Sequence, residues 1–442
     1  MKKLKLLNTL IFCLLLANFS FADRVEIFSA ENPDQAIALS NTMRTVVSFT
    51  NDFSEGGKLL VFAEGEAHTS YGNWQEPFEV QFELVQNGIS IISSAHYQDA
   101  FTNRTGFACT TISMADVLDI LPGNNIIDFE VGIRQQAMVY LKEPVMNMIF
   151  IPESSAVSCH VARVGNTTYY SASNEWQDII STNLDLKAGS YLIVGTAAVA
   201  PYPGNQSANF YFRQKVSTYE LPEAEIDLKG DNDDGMDRSL ILSRGDDIVN
   251  SVVTNFKLQI RTPWDSVKLY RAALFIIYQP FGLLDPEINV DFVSGPTTWT
   301  WSNSNSNIEE KATFYSEARK ILQMSSFALY TTSDRCLART HLLWNGYTYA
   351  GVGREEELAT GINVPYCYSS HLTWVNDFAS GSHSFSMQVS HGSFDLPAAN
   401  GTMISPSRWQ SAISIPIPEP CYLSLLIYYL LIINKKYITS KF

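Results

Sequence analysis

Three stretches of this 442-residue chain repeat the same order of turn and strand signals about 130 positions apart, and that repetition constrains the fold more than any single motif. Gly165-Asn-Thr-Thr-Tyr-Tyr-Ser171 resembles Gly295-Pro-Thr-Thr-Trp-Thr-Trp-Ser302, an alignment that sets Tyr169 against Trp299. Gly57-Lys-Leu-Leu-Val-Phe-Ala63 parallels Gly189-Ser-Tyr-Leu-Ile-Val-Gly195 and, more weakly, Ser325-Ser-Phe-Ala-Leu-Tyr-Thr331, each a turn followed by a buried strand. Segments starting at Gly123, Val253 and Gly381 then alternate apolar and polar residues, the period of a strand with one wet face. Each unit closes on an apolar strand ended by proline, at Pro152, Pro280 and Pro416. The chain therefore divides into repeats 23–152, 153–280 and 281–416, between a leading segment 1–22 and a tail 417–442.

Some 130 residues of short strands punctuated by Gly, Asn and Pro is the size of an antiparallel β-sandwich, and 21 Tyr and 25 Phe suit half-buried pleated surfaces. The expected fold is all-β: three tandem jelly-roll-like sandwiches, with an N-terminal signal helix and a hydrophobic C-terminal tail. Each repeat is large enough to bury its own core, so the expectation is beads on a string. Helical spacing occurs only at Asp34–Met43 and Glu309–Met324, and both segments read equally as loops or crossovers. The repeats loosely resemble jelly-roll modules of the tumour-necrosis-factor-like type, found in extracellular and fibre-tip proteins. An immunoglobulin-like sandwich is the alternative, because periodicity does not say how strands connect.

At the N-terminus Lys2, Lys3 and Lys5 precede an apolar run, Leu6–Leu16, and Ser20-Phe21-Ala22 puts small residues at the −3 and −1 positions. This is the pattern of a cleaved signal peptide with Asp23 as first mature residue. The run is short of the roughly 20 residues a membrane span needs. Removing residues 1–22, with three Lys and no acid, takes the formal charge from −15 to −18, and losing 421–442, with Lys435, Lys436 and Lys441, takes it to −21. So acidic a body repels phosphate backbones and anionic lipid, which argues against nucleic-acid binding.

Cys109, Cys159, Cys336, Cys367 and Cys421 remain after signal removal. An exported protein meets an oxidising exterior, and Cys336–Cys367 within the third repeat is the favoured bridge, worth about 3 kcal/mol by loop closure. Cys109–Cys159 would straddle two repeats, and buried free thiols are the alternative for all four. Asp227, Asp231, Asp233, Asp234 and Asp237 crowd one stretch whose oxygens could take calcium, although Leu242 stands where an EF-hand carries its Glu. A solvated acidic tip between two strands is the plainer reading. Trp299, Trp301, Trp344 and Trp374 are the candidates for stacking on sugar rings, against a default of core packing. The seven histidines, His68, His96, His160, His341, His371, His383 and His391, form no HExxH, and no G-x-S-x-G or P-loop exists. The chain is thus not expected to be an enzyme, and no cofactor beyond calcium is implied.

The tail carries the sharpest local signal. Pro416-Ile-Pro-Glu-Pro420 is followed by an uncharged run, Cys421–Ile433, and then Lys435 and Lys436. Basic residues beyond an apolar segment keep that end cytoplasmic while the body lies outside. With Pro418, Glu419 and Pro420 as the Pro-Glu-Pro element, this resembles the PEP-CTERM sorting signal. That resemblance implies transient membrane insertion, processing by an exosortase-like enzyme, and display at the cell surface or in the extracellular matrix of a biofilm-forming bacterium, where extracellular polysaccharide or other surface proteins would be partners. Cys421, Tyr422, Tyr428 and Tyr429, lysines in place of arginines, and the overhang Tyr437–Phe442 depart from the family pattern. The functional expectation is an exported structural, adhesive or binding protein; the alternative is a secreted carbohydrate-active enzyme or carbohydrate-binding protein.

Overall fold

The computed structural model describes residues 24–32, 36–69, 78–91, 96–100, 109–134, 138–202, 208–217, 219–220, 224–228, 238–249, 252–263, 266–282, 287–294, 299–302, 306–331, 335–345, 347–359, 368–391 and 402–417. The signal segment, Asp231 to Asp237, Cys367 and the tail with Pro418, Glu419, Pro420, Lys435 and Lys436 lie outside the described residues. All regular structure among the described residues is strand, paired antiparallel.

In the first repeat one sheet orders Glu26–Glu31, Val139–Pro152, Gly57–Thr69 and Cys109–Ile120, and the other orders Arg44–Phe53, Gly123–Ile133 and Phe78–Gln86, with His96–Ala100 beside the last. In the second, Ser158–Val164, Ser266–Pro280, Gly189–Tyr202 and Arg238–Ile248 face Ser173–Leu186, Val252–Thr262, Ala208–Val216 and Ala224–Leu228. In the third, Asn289–Ser294, Thr402–Pro416, Arg319–Thr331 and Tyr368–Phe378 face Ser306–Tyr315, Gly381–His391, Arg335–Trp344 and Tyr347–Ala359. Successive long strands alternate between the two sheets except at one hairpin that stays in the outer sheet, Arg335–Trp344 with Tyr347–Ala359 in the third repeat and its shorter counterparts in the other two, and the last long strand returns beside the first, which is jelly-roll order. Neither stretch of helical spacing is helical among its described residues: Ile37–Ala38, Ser306–Tyr315 and Arg319–Thr331 are strands. Ile321 and Leu322 are both fully buried, on opposite faces of a strand covered on both sides. Such a strand reads as a continuous apolar run, and that is what imitates a helix.

Register locates the repeats against one another. Pro152 lies opposite Gly57 and Pro280 opposite Gly189, but Pro416 lies opposite Arg319. The third counterpart of the two glycines is therefore Arg319, six residues before the Ser325 that the sequence alignment chose. Compensation hides it. A Cβ at Gly57 would sit 2.4 Å from the Ile151 carbonyl and 2.6 Å from the Phe150 ring, and one at Gly189 would sit 2.3 Å from the Gln279 carbonyl and 2.6 Å from the Tyr278 ring. In the third repeat Ser414 replaces that aromatic, and the Arg319 guanidinium fills the space, donating to Ser414 O and Oγ at 3.3 Å each. A second correction concerns the alignment of Tyr169 with Trp299. Tyr170 pairs with Val267, itself opposite Pro201, and Trp301 pairs with Met403, itself opposite Thr331. Trp301 thus takes the register position of Tyr170, and Trp299 that of Thr168; a one-residue slip exchanges the faces of a strand.

The three sandwiches are not beads on a string. One apolar cluster joins Ile27, Leu60, Phe62 and Ile149 of the first repeat, Leu192, Val194, Phe275 and Ile277 of the second, and Leu322, Met324 and Ile413 of the third. These residues belong to the first-named sheet of each repeat, so the three inner sheets turn one face into their own sandwich and the other into a common centre. The connectors meet as well. The Glu287 carboxylate, between repeats two and three, accepts from Val25 N at 3.3 Å, Ser155 Oγ at 2.8 Å and Ala156 N at 2.9 Å.

Candidate functional site

Each inner sheet ends on an edge strand, and an edge leaves backbone donors and acceptors unpaired. The three edge strands, Cys109–Ile120, Arg238–Ile248 and Tyr368–Phe378, each abut the next repeat in cyclic order, and polar groups close the joints. At the third-to-first joint, Thr373 N donates to Glu64 Oε1 at 2.8 Å, the Thr373 hydroxyl donates to the same oxygen, and Asn147 Nδ2 donates to Thr373 Oγ1 at 2.8 Å. At the second-to-third joint, Ser243 N donates to Ser326 Oγ at 3.3 Å, and Ser243 Oγ lies 3.4 Å from His371 Nε2.

Register makes these residues equivalent. Counted from Gly57, Gly189 and Arg319, the residues Glu64, Thr196 and Ser326 share one position. Ala115, Ser243 and Thr373 share another, as cross-strand partners of Phe62, Val194 and Met324. Where the other two joints set Ser243 against Ser326 and Thr373 against Glu64, the first sets Ala115 against Thr196. An alanine methyl can neither donate nor accept, and Thr196 Oγ1, on a residue 4% exposed, has no hydrogen-bond partner. The cross-strand neighbour at this position is Val145 in the first repeat and Trp409 in the third, but Ala273 in the second.

Two alanines at these positions leave a cavity of about 140 Å³ between repeats one and two, lined also by His96, Asp116, Arg163, Gly165, Thr196 and Arg271. Its rim is the exposed Gly165 and the partly exposed Arg163. Arg163 caps the open edge of the first repeat, donating to Asp116 Oδ1 at 2.7 Å and to the Val117 carbonyl at 2.6 Å. Asp116 is 2% exposed, so this pair is held out of water on its acidic side. His96 is stacked on Phe82, and its Nδ1 lies 2.9 Å from Ser239 Oγ. Ser239 Oγ donates its proton to the Ser113 carbonyl at 2.8 Å, which assigns Nδ1–H as the donor to Ser239 and leaves Nε2 as an acceptor. Burial first, and then the charge of Arg271, lower the His96 pKa to about 3, so the ring is neutral. This is not an activated nucleophile: the serine proton points at a backbone carbonyl and the ring donates to the serine. The arrangement is a partly open polar cavity with two guanidiniums, one carboxylate and a buried hydroxyl.

The residues singled out from sequence lie elsewhere. Trp344 and Trp374 pack edge-on against Phe378 with centroids 4.9 and 5.6 Å away, and Trp344 Nε1 donates to His383 Nδ1 at 3.0 Å. Trp299 and Trp301 lie together on the strand Trp299–Ser302. Asp227 lies on Ala224–Leu228, opposite Asn209. Cys109 and Cys159 are free thiols, and burial pushes that of Cys159 up to about 12. Cys336 is on Arg335–Trp344, opposite Leu358. Among the described residues no three His, Cys, Asp or Glu side chains converge as metal ligands, and no helix is long and apolar enough to cross a membrane.

No protein-family model matches the chain, and no curated protein matches it. Among solved structures, it is similar to PNGF-II, at 8% identity and a TM-score of 0.28, over 78% of this chain and 99% of that one. It is also similar to N-glycanase F, at 10% identity and a TM-score of 0.26, over 59% and 97%. A triple jelly-roll protein of an archaeal virus turret matches at 10% identity and a TM-score of 0.19, over 89% and 90%. Superpositions this loose transfer no residue from those proteins to this one.

Proposed function

We propose that this is an exported bacterial protein of the cell surface or extracellular matrix, a rigid displayed scaffold with a structural, adhesive or binding role. The observation that carries this reading is the closed ring: three sandwiches spend one face of every inner sheet on a shared apolar centre, so the molecule presents three outer sheets in fixed relative orientation. Fixed presentation of several surfaces favours multivalent contact, because later contacts form at high effective concentration. The acidic body, the signal-like N-terminus and the Pro418-Glu419-Pro420 tail with Lys435 and Lys436 support export and surface sorting. The test is intact mass and fractionation of the protein expressed in an exosortase-bearing host, beside a variant with alanine at positions 418, 419 and 420. The expected result is loss of both ends and release to surface or matrix for the parent, with the variant retained in the membrane fraction. Identical masses and fractions, with residues 421–442 kept by both, would overturn the sorting reading.

A further inference from the structure

We propose that the end of the ring carrying the three closing prolines rests on a lipid bilayer, with two sets of exposed apolar side chains entering its zwitterionic headgroup surface. Strand ends define this face. Gly57 pairs with Ile120 and Pro152, Gly189 with Ile248 and Pro280, and Arg319 with Phe378 and Pro416. The connectors draw those ends together: Glu287 accepts from Val25, Ser155 and Ala156, and the Gln279 amide exchanges hydrogen bonds of 2.7 and 2.8 Å with the backbone of Ile288. Leu121, Val249 and Phe281 directly follow Ile120, Ile248 and Pro280. Ile126 and Val253 sit in the strands that leave the same turns, and the hairpin bearing Ile89 is held there by Asn87 N donating to the Ile126 carbonyl at 2.8 Å. Of nine large apolar side chains exposed among the described residues, these are six, at 38% to 78% exposure. The other three, Met138, Tyr169 and Tyr202, lie at the far end of the sheets. Single exposed apolar residues are ordinary, but their collection on one face marks an interaction surface.

The sequence beyond Ile417 identifies the occupant. Ile417 N donates to the Ala318 carbonyl at 2.9 Å on this face, and the uncharged run Cys421–Ile433 begins four residues on. Four extended residues reach at most about 14 Å, so a tail inserted in a bilayer holds this face against the headgroups. The inference thus rests on the membrane insertion proposed for the tail. Charged side chains at this end meet partners, Lys58 with Asp119, Arg319 with Glu317 and Lys320 with Asp377, which limits what contact with headgroups must desolvate. A formal charge of −15 selects zwitterionic over anionic lipid. Apolar tips seated at the level of the headgroups add their buried area to whatever the tail contributes.

The test is photo-crosslinking of residues 23–442, tail included, reconstituted with phosphatidylcholine vesicles and recovered by flotation. Separate variants carry Leu121→p-benzoylphenylalanine, Val249→p-benzoylphenylalanine and Phe281→p-benzoylphenylalanine, with Tyr202→p-benzoylphenylalanine as the far-end control. All four positions are exposed, so the fold tolerates the added ring. On irradiation, intact mass should show lipid adducts at 121, 249 and 281 at least about tenfold above those at 202, the contrast expected of a face seated in the headgroups. Leu121→Asp with Val249→Asp should leave flotation, which the tail provides, unchanged and cut the adduct at 281 at least about fivefold, because carboxylates at the contact resist burial. Equal adducts at both ends of a floating chain, crosslinks to a second copy in place of lipid, or an adduct at 281 indifferent to the two aspartates would each overturn the docking proposal and leave the tail in the membrane. A chain that does not float overturns the membrane reading of the tail and this proposal with it.

Discussion

His96 and His371 show what a single buried side chain costs and controls in this molecule. Both are nearly inaccessible, at 2% and 1% exposure, and burial lowers both pKa values to about 3. His371 stands where all three repeats meet, its ring stacked 5.5 Å from Phe62 of the first and its Nε2 against Ser243 of the second. A histidine whose folded pKa lies below its unfolded value of about 6.5 binds its proton more readily when the chain unfolds. Its neutral-form stability is therefore complete above pH 6.5 and is lost as pH falls toward 3, at about 1.4 kcal/mol per pH unit for each ring. Denaturation midpoints measured between pH 7 and 4.5 should fall with acidification, and His371→Leu should flatten that slope by about half the two-histidine contribution, whatever it does to stability at pH 7. A slope unchanged by His371→Leu would place the acid sensitivity elsewhere.

Single strands show a departure in the third repeat that its sisters make readable. Inside the first two sandwiches the facing positions are Val61, Ala63 and Met146, and Ile193, Gly195 and Leu274; in the third they are Gln323, Ser325 and Gln410. Gln323 Oε1, Ser325 Oγ and both terminal atoms of the Gln410 amide are buried without hydrogen-bond partners. An unsatisfied buried polar group costs about 1–3 kcal/mol. Gln410→Met, close in shape and identical to the first repeat's residue, should raise the free energy of unfolding by about that amount in urea titration. A loss of similar size would show that the amide is satisfied in solution and that the polar interior is a working part of the third sandwich.

The same comparison marks what the sequence could disclose. Strand alternation, the 130-residue spacing and the prolines that end Val139–Pro152, Ser266–Pro280 and Thr402–Pro416 are local properties, and they carry the jelly-roll fold. Arg319 broke the third alignment because it and Ser414 exchange the roles of glycine and aromatic together, which conceals the match at both positions. A signal for the common centre was present in Leu59-Leu60-Val61-Phe62-Ala63, which does not alternate: a strand buried on both faces reads as an unbroken apolar run. The cavity was not legible. His96, Asp116, Arg163, Thr196 and Arg271 come from five strands of two repeats, and only register, which sets Ala115 against Thr196, explains why space exists there.

At the scale of the whole chain, the common centre couples the stabilities of the three repeats. Residues 23–152 alone would expose Ile27, Leu60, Phe62, Val117, Ile149 and Ile151, all buried in the centre. A contiguous apolar face of that kind drives association in a soluble domain. Autonomous sandwiches would melt independently, each at its own temperature, and a core substitution in one would leave the other two unmoved. A ring fused through its centre should melt in one calorimetric transition for residues 23–416, with the van't Hoff enthalpy matching the calorimetric one. Phe62→Ala removes a side chain 1% exposed that touches His371 of the third repeat, and truncations of this type cost about 3–5 kcal/mol. The expected outcome is a downward shift of the entire transition, with residues 23–152 alone binding a hydrophobic dye and sedimenting as oligomers. Phe62→Ala calorimetry that splits off one low-temperature peak and leaves the rest in place, or a monomeric and dye-silent 23–152, would return the protein to three independent modules and remove the rigidity on which its proposed role rests.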